Sequence, residues 1–205
     1  MKMHLKEFKI RASASGKLMT KPRSKSEVLS KTTKSYLEEW TKEQIYGVRK
    51  NIQSKYLTKG NQVEDDAIMY ASQELGWLFA AKNDEYFEDE YFCGTPDVIL
   101  DDTIIDIKSS WDCFSFPLFY NGIPNKDYYY QLQTYMHLTG KHKAQLVYVL
   151  MNTPEELTFE ESHDYSEINS KYRIKTFDID YNEEDIQEMQ LKVEESRQYI
   201  KELWS

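Results

Sequence analysis

The 205-residue sequence is 40% hydrophobic, 30% charged and 14% aromatic, a globular profile that excludes intrinsic disorder and leaves room for one well-buried α/β core. No window approaches the roughly eighteen apolar residues of a membrane span, and the opening MKMHLKEFKI lacks the apolar stretch of a signal peptide, so a cytosolic chain without a membrane role is expected. Two cysteines, Cys93 and Cys113, are too few for a disulfide framework, a four-cysteine zinc site or an all-cysteine iron–sulfur cluster.

The net charge of −9 argues against nucleic-acid binding until it is divided along the chain. Residues 1–60 hold 15 Lys and Arg against 5 Asp and Glu, leaving 11 against 30 for the remainder, so a +10 segment precedes a −19 body. Such asymmetry suits a local phosphate-attracting surface, and equally a solvated lysine-rich helical region.

The spacing predicts a helix over 30–50, through Tyr36, Leu37, Trp40, Ile45 and Val48, then a connector 55–60 ending in a turn glycine. A second helix over 61–81 sets Glu64, Ile68, Ala71, Leu75 and Leu78 on one stripe. From Tyr86 the texture turns to strands, at 86–93, 98–100 and 103–109, read as a β-meander. A helix over 127–138 ending at Gly140, a doubly buried strand over 145–151, a polar loop 152–171, a strand over 172–179 and a helix over 183–203 complete the order. The expected fold is α/β, a mixed central sheet flanked by helices with helical additions at both ends. It divides into a basic helical part (1–60), a catalytic core (61–151) and a C-terminal strand and helix (152–205).

Chemistry concentrates in Gly94-Thr95-Pro96-Asp97 and, eight residues later, Asp106-Ile107-Lys108. Side chains alternate along a strand, so Asp106 and Lys108 share one face, about 7 Å apart at the backbone, while Ile105 and Ile107 take the other. Antiparallel pairing across Asp101-Asp102 brings Asp97 beside Asp106. Two close carboxylates repel unless a cation lies between them, and a hard divalent metal, magnesium before manganese, suits oxygen ligands that also leave positions for phosphate. Such a metal serves phosphodiester hydrolysis, with Lys108 to steady water or developing charge. Alone, this short motif reads more readily as a turn aspartate and a surface strand pair.

Two further features bear on it. Glu64 faces inward on its stripe and needs a partner, either the metal site or a capping box with Asn61. Gln131 and Tyr135, four apart, share a helix face and can hold a phosphate, a water or the lysine, although an ordinary amphipathic helix explains them too. His4, His137, His142 and His163 show no zinc-ligand spacing.

Taken together, Glu64, Gly94-Thr95-Pro96-Asp97, Asp106-Ile107-Lys108 and Gln131-x-x-x-Tyr135 resemble the PD-(D/E)XK nuclease superfamily, in its lambda-exonuclease-like and RecB-type branch, over residues 60–150. The resemblance implies a restriction-endonuclease-like core of three antiparallel strands, a helix and a further strand. It also implies a metal held by Asp97, Asp106 and the Ile107 carbonyl, Glu64 completing the acidic cluster, and Gln131 supporting Lys108 or the attacking water. Residues 10–15 resemble the branch's N-terminal element, which makes Arg11, Ser13 and Ser15, with Tyr135, the expected DNA-binding residues, Arg11 forking a 5′-phosphate. The implied activity is exonucleolytic degradation of duplex DNA ends in phage-type recombination, with a single-strand annealing protein and further copies of the chain as candidate partners. A structure-specific or restriction endonuclease, or a non-catalytic DNA-binding accessory protein, are the alternatives.

Overall fold

The computed structural model describes residues 6–51, 53–78, 80–158 and 163–204; His4 lies outside them. The chain opens with β1 (Ile10–Arg11), a 3-10 turn (Ala12–Ala14) and α1 (Ser15–Leu18), then α2 (Lys31–Tyr46) and α3 (Lys55–Leu75). The Ser30 and Ser54 side chains cap α2 and α3, accepting from Thr33 N and Leu57 N, and Gly47 and Gly76 end them at φ 66° and 70°, where a left-handed residue suits glycine.

The strands β2 (Phe87–Glu88), β3 (Phe92–Gly94), β4 (Val98–Leu100) and β5 (Thr103–Ser109) follow, then α4 (Lys126–Thr139), β6 (Lys143–Val149), β7 (Ile174–Asp180) and α5 (Glu183–Trp204). They form two sheets, a small one ordered β1-β3-β2 and a main one ordered β4-β5-β6-β7. In the main sheet β5 and β6 are parallel, joined across α4, while β4–β5 and β6–β7 are antiparallel. The fold is the expected mixed α/β arrangement flanked by helices.

Helices cover both faces of the main sheet, and the alternation of β5 decides what each meets. Ile104 packs with Leu132, Met136 and Leu146 under α4. Ile105 and Ile107 pack with Ala67, Ile68 and Ala71 of α3. A third cluster joins Phe8, Ile10 and Leu37 to Met189 and Val193 of α5. There Arg197 donates to the Phe8 and Glu90 carbonyls, at 3.1 and 2.6 Å, and stacks over Tyr91. Among the described residues no helix is long and apolar enough to cross a membrane.

Several expectations need correction. The segment 55–60 is the first part of α3, because Ser54 supplies the cap and Gly60 is tolerated within a turn already started. Asn61 therefore caps nothing. The second helix stops at Gly76, which leaves Leu78 off the stripe and 76% exposed. The run 86–93 is a hairpin rather than one strand, since Asp89 Oδ1 accepts from both Tyr91 N and Phe92 N and turns the chain. The meander is likewise divided: β3 pairs with both β1 and β2 in the small sheet, and only β4 and β5 join the main sheet.

Candidate active site

The register Val98↔Ile105, extended by one residue, sets Asp97 across from Asp106. Asp97 Oδ2 takes the place of a backbone partner and accepts from Ile107 N at 2.8 Å. Since a strand residue's N–H and C=O point to the same edge, the Ile107 carbonyl belongs to the side on which Asp97 lies. Asp106 and Lys108 face α4, where Gln131 Nε2 donates to Asp106 Oδ1 at 2.8 Å and lies 3.4 Å from the Tyr135 hydroxyl. Lys108 Nζ stands 2.6 Å from Asp106 Oδ2 and 5.0 Å above the Tyr128 ring. That oxygen is buried without an aligned hydrogen bond, so the lysine contact is one of charge.

Burial and the charge of Asp106 push the Asp97 carboxyl up to about 7, against the opposing pull of Lys108 and the Ile107 N–H. Asp106 is 0% exposed; burial raises its pKa too, with Lys108 resisting. Burial disfavours the Lys108 ammonium, but Asp106 and Asp97 more than offset this and its pKa rises. One cation thus faces two carboxylates, Asp106 fully buried and Asp97 partly so, and pairs directly with only one of their four oxygens. These residues fit a hard divalent cation, which would offset the burial that raises both acids and the Asp106 charge that further raises Asp97.

Glu64 stands differently from its expected place. Lys82 Nζ holds its Oε2 at 2.5 Å and Asp65 Oδ1 at 3.0 Å, and among the described residues no three acids, histidines or cysteines close to metal-ligand spacing. Glu64 still acts through its charge on both Asp97 and Asp106. Lys82 bridges to Val98, and Asn83 N donates to the Asp97 carbonyl at 2.8 Å. This strap beside β4 carried no local sequence signal, because its pairing partner lies sixteen residues on.

Of the N-terminal residues, Arg11 and Ser13 line a groove of about 690 Å³ together with Arg49, Thr95 and Tyr135. Ser15 does not: it is buried, with its hydroxyl 2.8 Å from Thr134 Oγ1 of α4, so its role is to dock α1. Gly94 permits the groove floor, since a Cβ there would stand 2.8 Å from Tyr135 Cε1 and 3.1 Å from Ala12 Cβ. The groove continues past Arg11, Arg49, Lys50 and Lys17 to a second hollow lined by Lys21, Arg23, Lys31 and Lys34. Arg49 and Lys17 carried no local sequence signal, because what sets them in the groove is tertiary packing, as where the Lys17 ammonium lies 5.0 Å above the Tyr36 ring.

The architecture matches solved structures closely. The phage-related exonuclease from Haemophilus somnus 129PT superposes with a TM-score of 0.85 at 30% identity, covering 97% of this chain and 96% of that one. The alkaline exonuclease LHK-Exo from Laribacter hongkongensis shares the fold, with a TM-score of 0.71 at 18% identity over 94% of this chain and 88% of its own. Its complex with dAMP gives 0.70 at 20%, over 95% and 91%. No protein-family model matches, and no curated sequence matches significantly. With nearly the whole length of both chains superposed at 30% identity, this chain belongs to the lambda-exonuclease-like family of the PD-(D/E)XK nucleases.

Proposed function

We propose that the chain is a metal-dependent exonuclease that hydrolyses phosphodiester bonds from duplex DNA ends, with Asp97, Asp106, Lys108 and Gln131 as its working residues. The observation that carries this reading is the pair of adjacent carboxylates, Asp106 fully and Asp97 partly buried, both driven toward the protonated form beside a single lysine. Asp97, Asp106 and the Ile107 carbonyl would hold magnesium, with manganese as the alternative, and Glu64 would join them on release from Lys82. When bound, the ion neutralises phosphate charge and acidifies a water.

The protein's own groups do the rest. Gln131 fixes Asp106 by donating to Oδ1, which leaves Oδ2 directed to Lys108. The Lys108 ammonium, kept charged by the two aspartates, stabilises charge developing at phosphorus. Arg11 and Ser13 supply a guanidinium fork and a hydroxyl for a terminal 5′-phosphate, and Tyr135 connects that groove to Gln131. Such degradation would leave a single strand suited to a single-strand annealing protein, and phage-type recombination is the process it would serve.

Linear and covalently closed circular duplexes, incubated with the protein in magnesium and in chelator, test the reading. Degradation of linear DNA alone is expected; cleavage of closed circles would establish an endonuclease, and no cleavage of either an accessory protein.

A further inference from the structure

Lys82 belongs to the strap beside β4, whose backbone sets it against the site. Lys82 bridges to Val98, and the next residue, Asn83, donates from N to the Asp97 carbonyl at 2.8 Å and from Nδ2 to the Pro96 carbonyl at 3.1 Å. Residues directly opposite in an antiparallel pairing send their side chains to one face, so Lys82 shares the face on which Val98 packs with Ala67 and Ile68 of α3. Glu64 stands one turn before Ile68 on α3, and there the Lys82 ammonium meets it.

This is the carboxylate that the proposed function assigns to the metal cluster, and its charge already reaches Asp97 and Asp106. Two ammoniums, Lys108 on Asp106 and Lys82 on Glu64 and Asp65, face four carboxylates, which leaves the acids in excess. A site so charged repels phosphate. Lys82 and a divalent ion on the same Glu64 carboxylate would also repel each other, so one has to leave. Lys82 is the one able to move: its side chain is 44% exposed on a flexible stem, and Asp65, 80% exposed, is a weak restraint.

We propose that Lys82 is a resident cation on Glu64 which a divalent ion displaces, and that the released ammonium grips the DNA backbone beside the phosphate held at Asp97 and Asp106. The idea rests on the metal-dependent exonuclease reading and adds an exchange to it, in which Glu64 turns to the ion as Lys82 turns to the substrate. DNA is thus held poorly at an empty site and well at a loaded one. Ion and DNA each strengthen the binding of the other by the same factor, as linkage requires of two ligands that favour one state.

The test uses full-length wild type, Lys82→Met, which keeps the stem and loses the charge, Glu64→Gln and the double variant. An exposed ion pair contributes little to stability, so all four should melt within a few degrees of one another. In calorimetric titration with magnesium, without DNA, Lys82→Met should bind the ion about fivefold or more tightly than wild type. That gain should vanish when Lys82→Met is placed in the Glu64→Gln background, because it passes through the Glu64 carboxylate. An equal gain in that background would be general surface charge, and no gain in either would mean that nothing is displaced; both results overturn the proposal. Binding of a duplex protected by phosphorothioate linkages is then followed against salt, in chelator and in magnesium. The ion adds its own phosphate contact to each protein, so the increase in the slope of log K against log salt should be larger in wild type than in Lys82→Met by about one contact. Equal increases would show that Lys82 does not pass to the DNA and sink the exchange. Wild type that takes up no magnesium would instead remove the metal-dependent reading itself, and this proposal with it.

Discussion

Asp97 shows how a single side chain couples charge to stability. Its folded pKa, raised to about 7 by burial and Asp106, lies above that of the unfolded chain, about 3.9. The native carboxyl therefore keeps its proton where the unfolded one has lost it. The associated stability is fully present below about pH 4 and is lost as pH rises through about 7. Metal-free protein should accordingly unfold at lower temperature at pH 8 than at pH 5. Added magnesium should raise the melting temperature more at pH 8; an equal rise at both pH values would contradict the assigned ligands. For the chemistry, Asp106→Asn and Lys108→Ala should each lower kcat at least about a hundredfold with circular dichroism unchanged. Full activity in either folded variant would remove that residue from the mechanism. These residues were legible because strand alternation places Asp106 and Lys108 together. The ion pair that occupies Glu64 was not, since Lys82 reaches it only through tertiary structure.

At the scale of the element, α3 begins where a connector was expected, and Lys59 explains why its first turns are held. Lys59 is 1% exposed, and its ammonium donates to the carbonyls of Ser110, Trp111 and Met151 at 2.6, 2.9 and 2.8 Å. It thereby ties α3 to the segments following β5 and β6. Lys59→Met would leave those carbonyls without their donor and should destabilise the fold by about 3 kcal/mol, lowering the melting temperature by roughly 10 °C. A shift within a degree of wild type would show that the tether contributes nothing. Gly94→Ala tests a second close approach: its methyl group must displace the Tyr135 ring. Chain degradation should slow severalfold while Lys59-dependent stability is retained, as measured by rate on 5′-phosphorylated duplex and by melting. Periodicity could delimit α4 and α5 to within a residue or two, but it could not see that 86–93 turns on Asp89, because an Asx turn depends on one side chain rather than a repeat.

Over the whole molecule, the division into a +10 segment and a −19 body was visible before any coordinates, whereas the groove that uses it was not. Folding gathers Arg11, Lys17, Arg49 and Lys50 from β1, α1 and the segment after α2 onto one continuous track. On the proposed function, a duplex approaching the acidic remainder would be repelled, which leaves this track as the attractive route. Affinity for duplex ends should fall steeply with salt, and Arg11→Ala should lessen the slope of log K against log salt by about one phosphate contact. It should also abolish any preference for 5′-phosphate over 5′-hydroxyl ends; equal wild-type rates on both ends would refute the terminal-phosphate role.

The hold of Arg197 on the Phe8 and Glu90 carbonyls has a consequence in time. One wall of the groove is made by residues that leave the ribosome first, yet a helix that leaves it late secures them. The β1–β3 pairing, Ile10 with Phe92, likewise waits on chain made much later. Contacts so distant in sequence form slowly. A growing polypeptide can complete the β5-α4-β6 unit, with its aspartate, lysine and glutamine, well before the substrate track exists. On the proposed function, the cleavage site and the DNA track would thus mature separately, the track being secured only once α5 is in place.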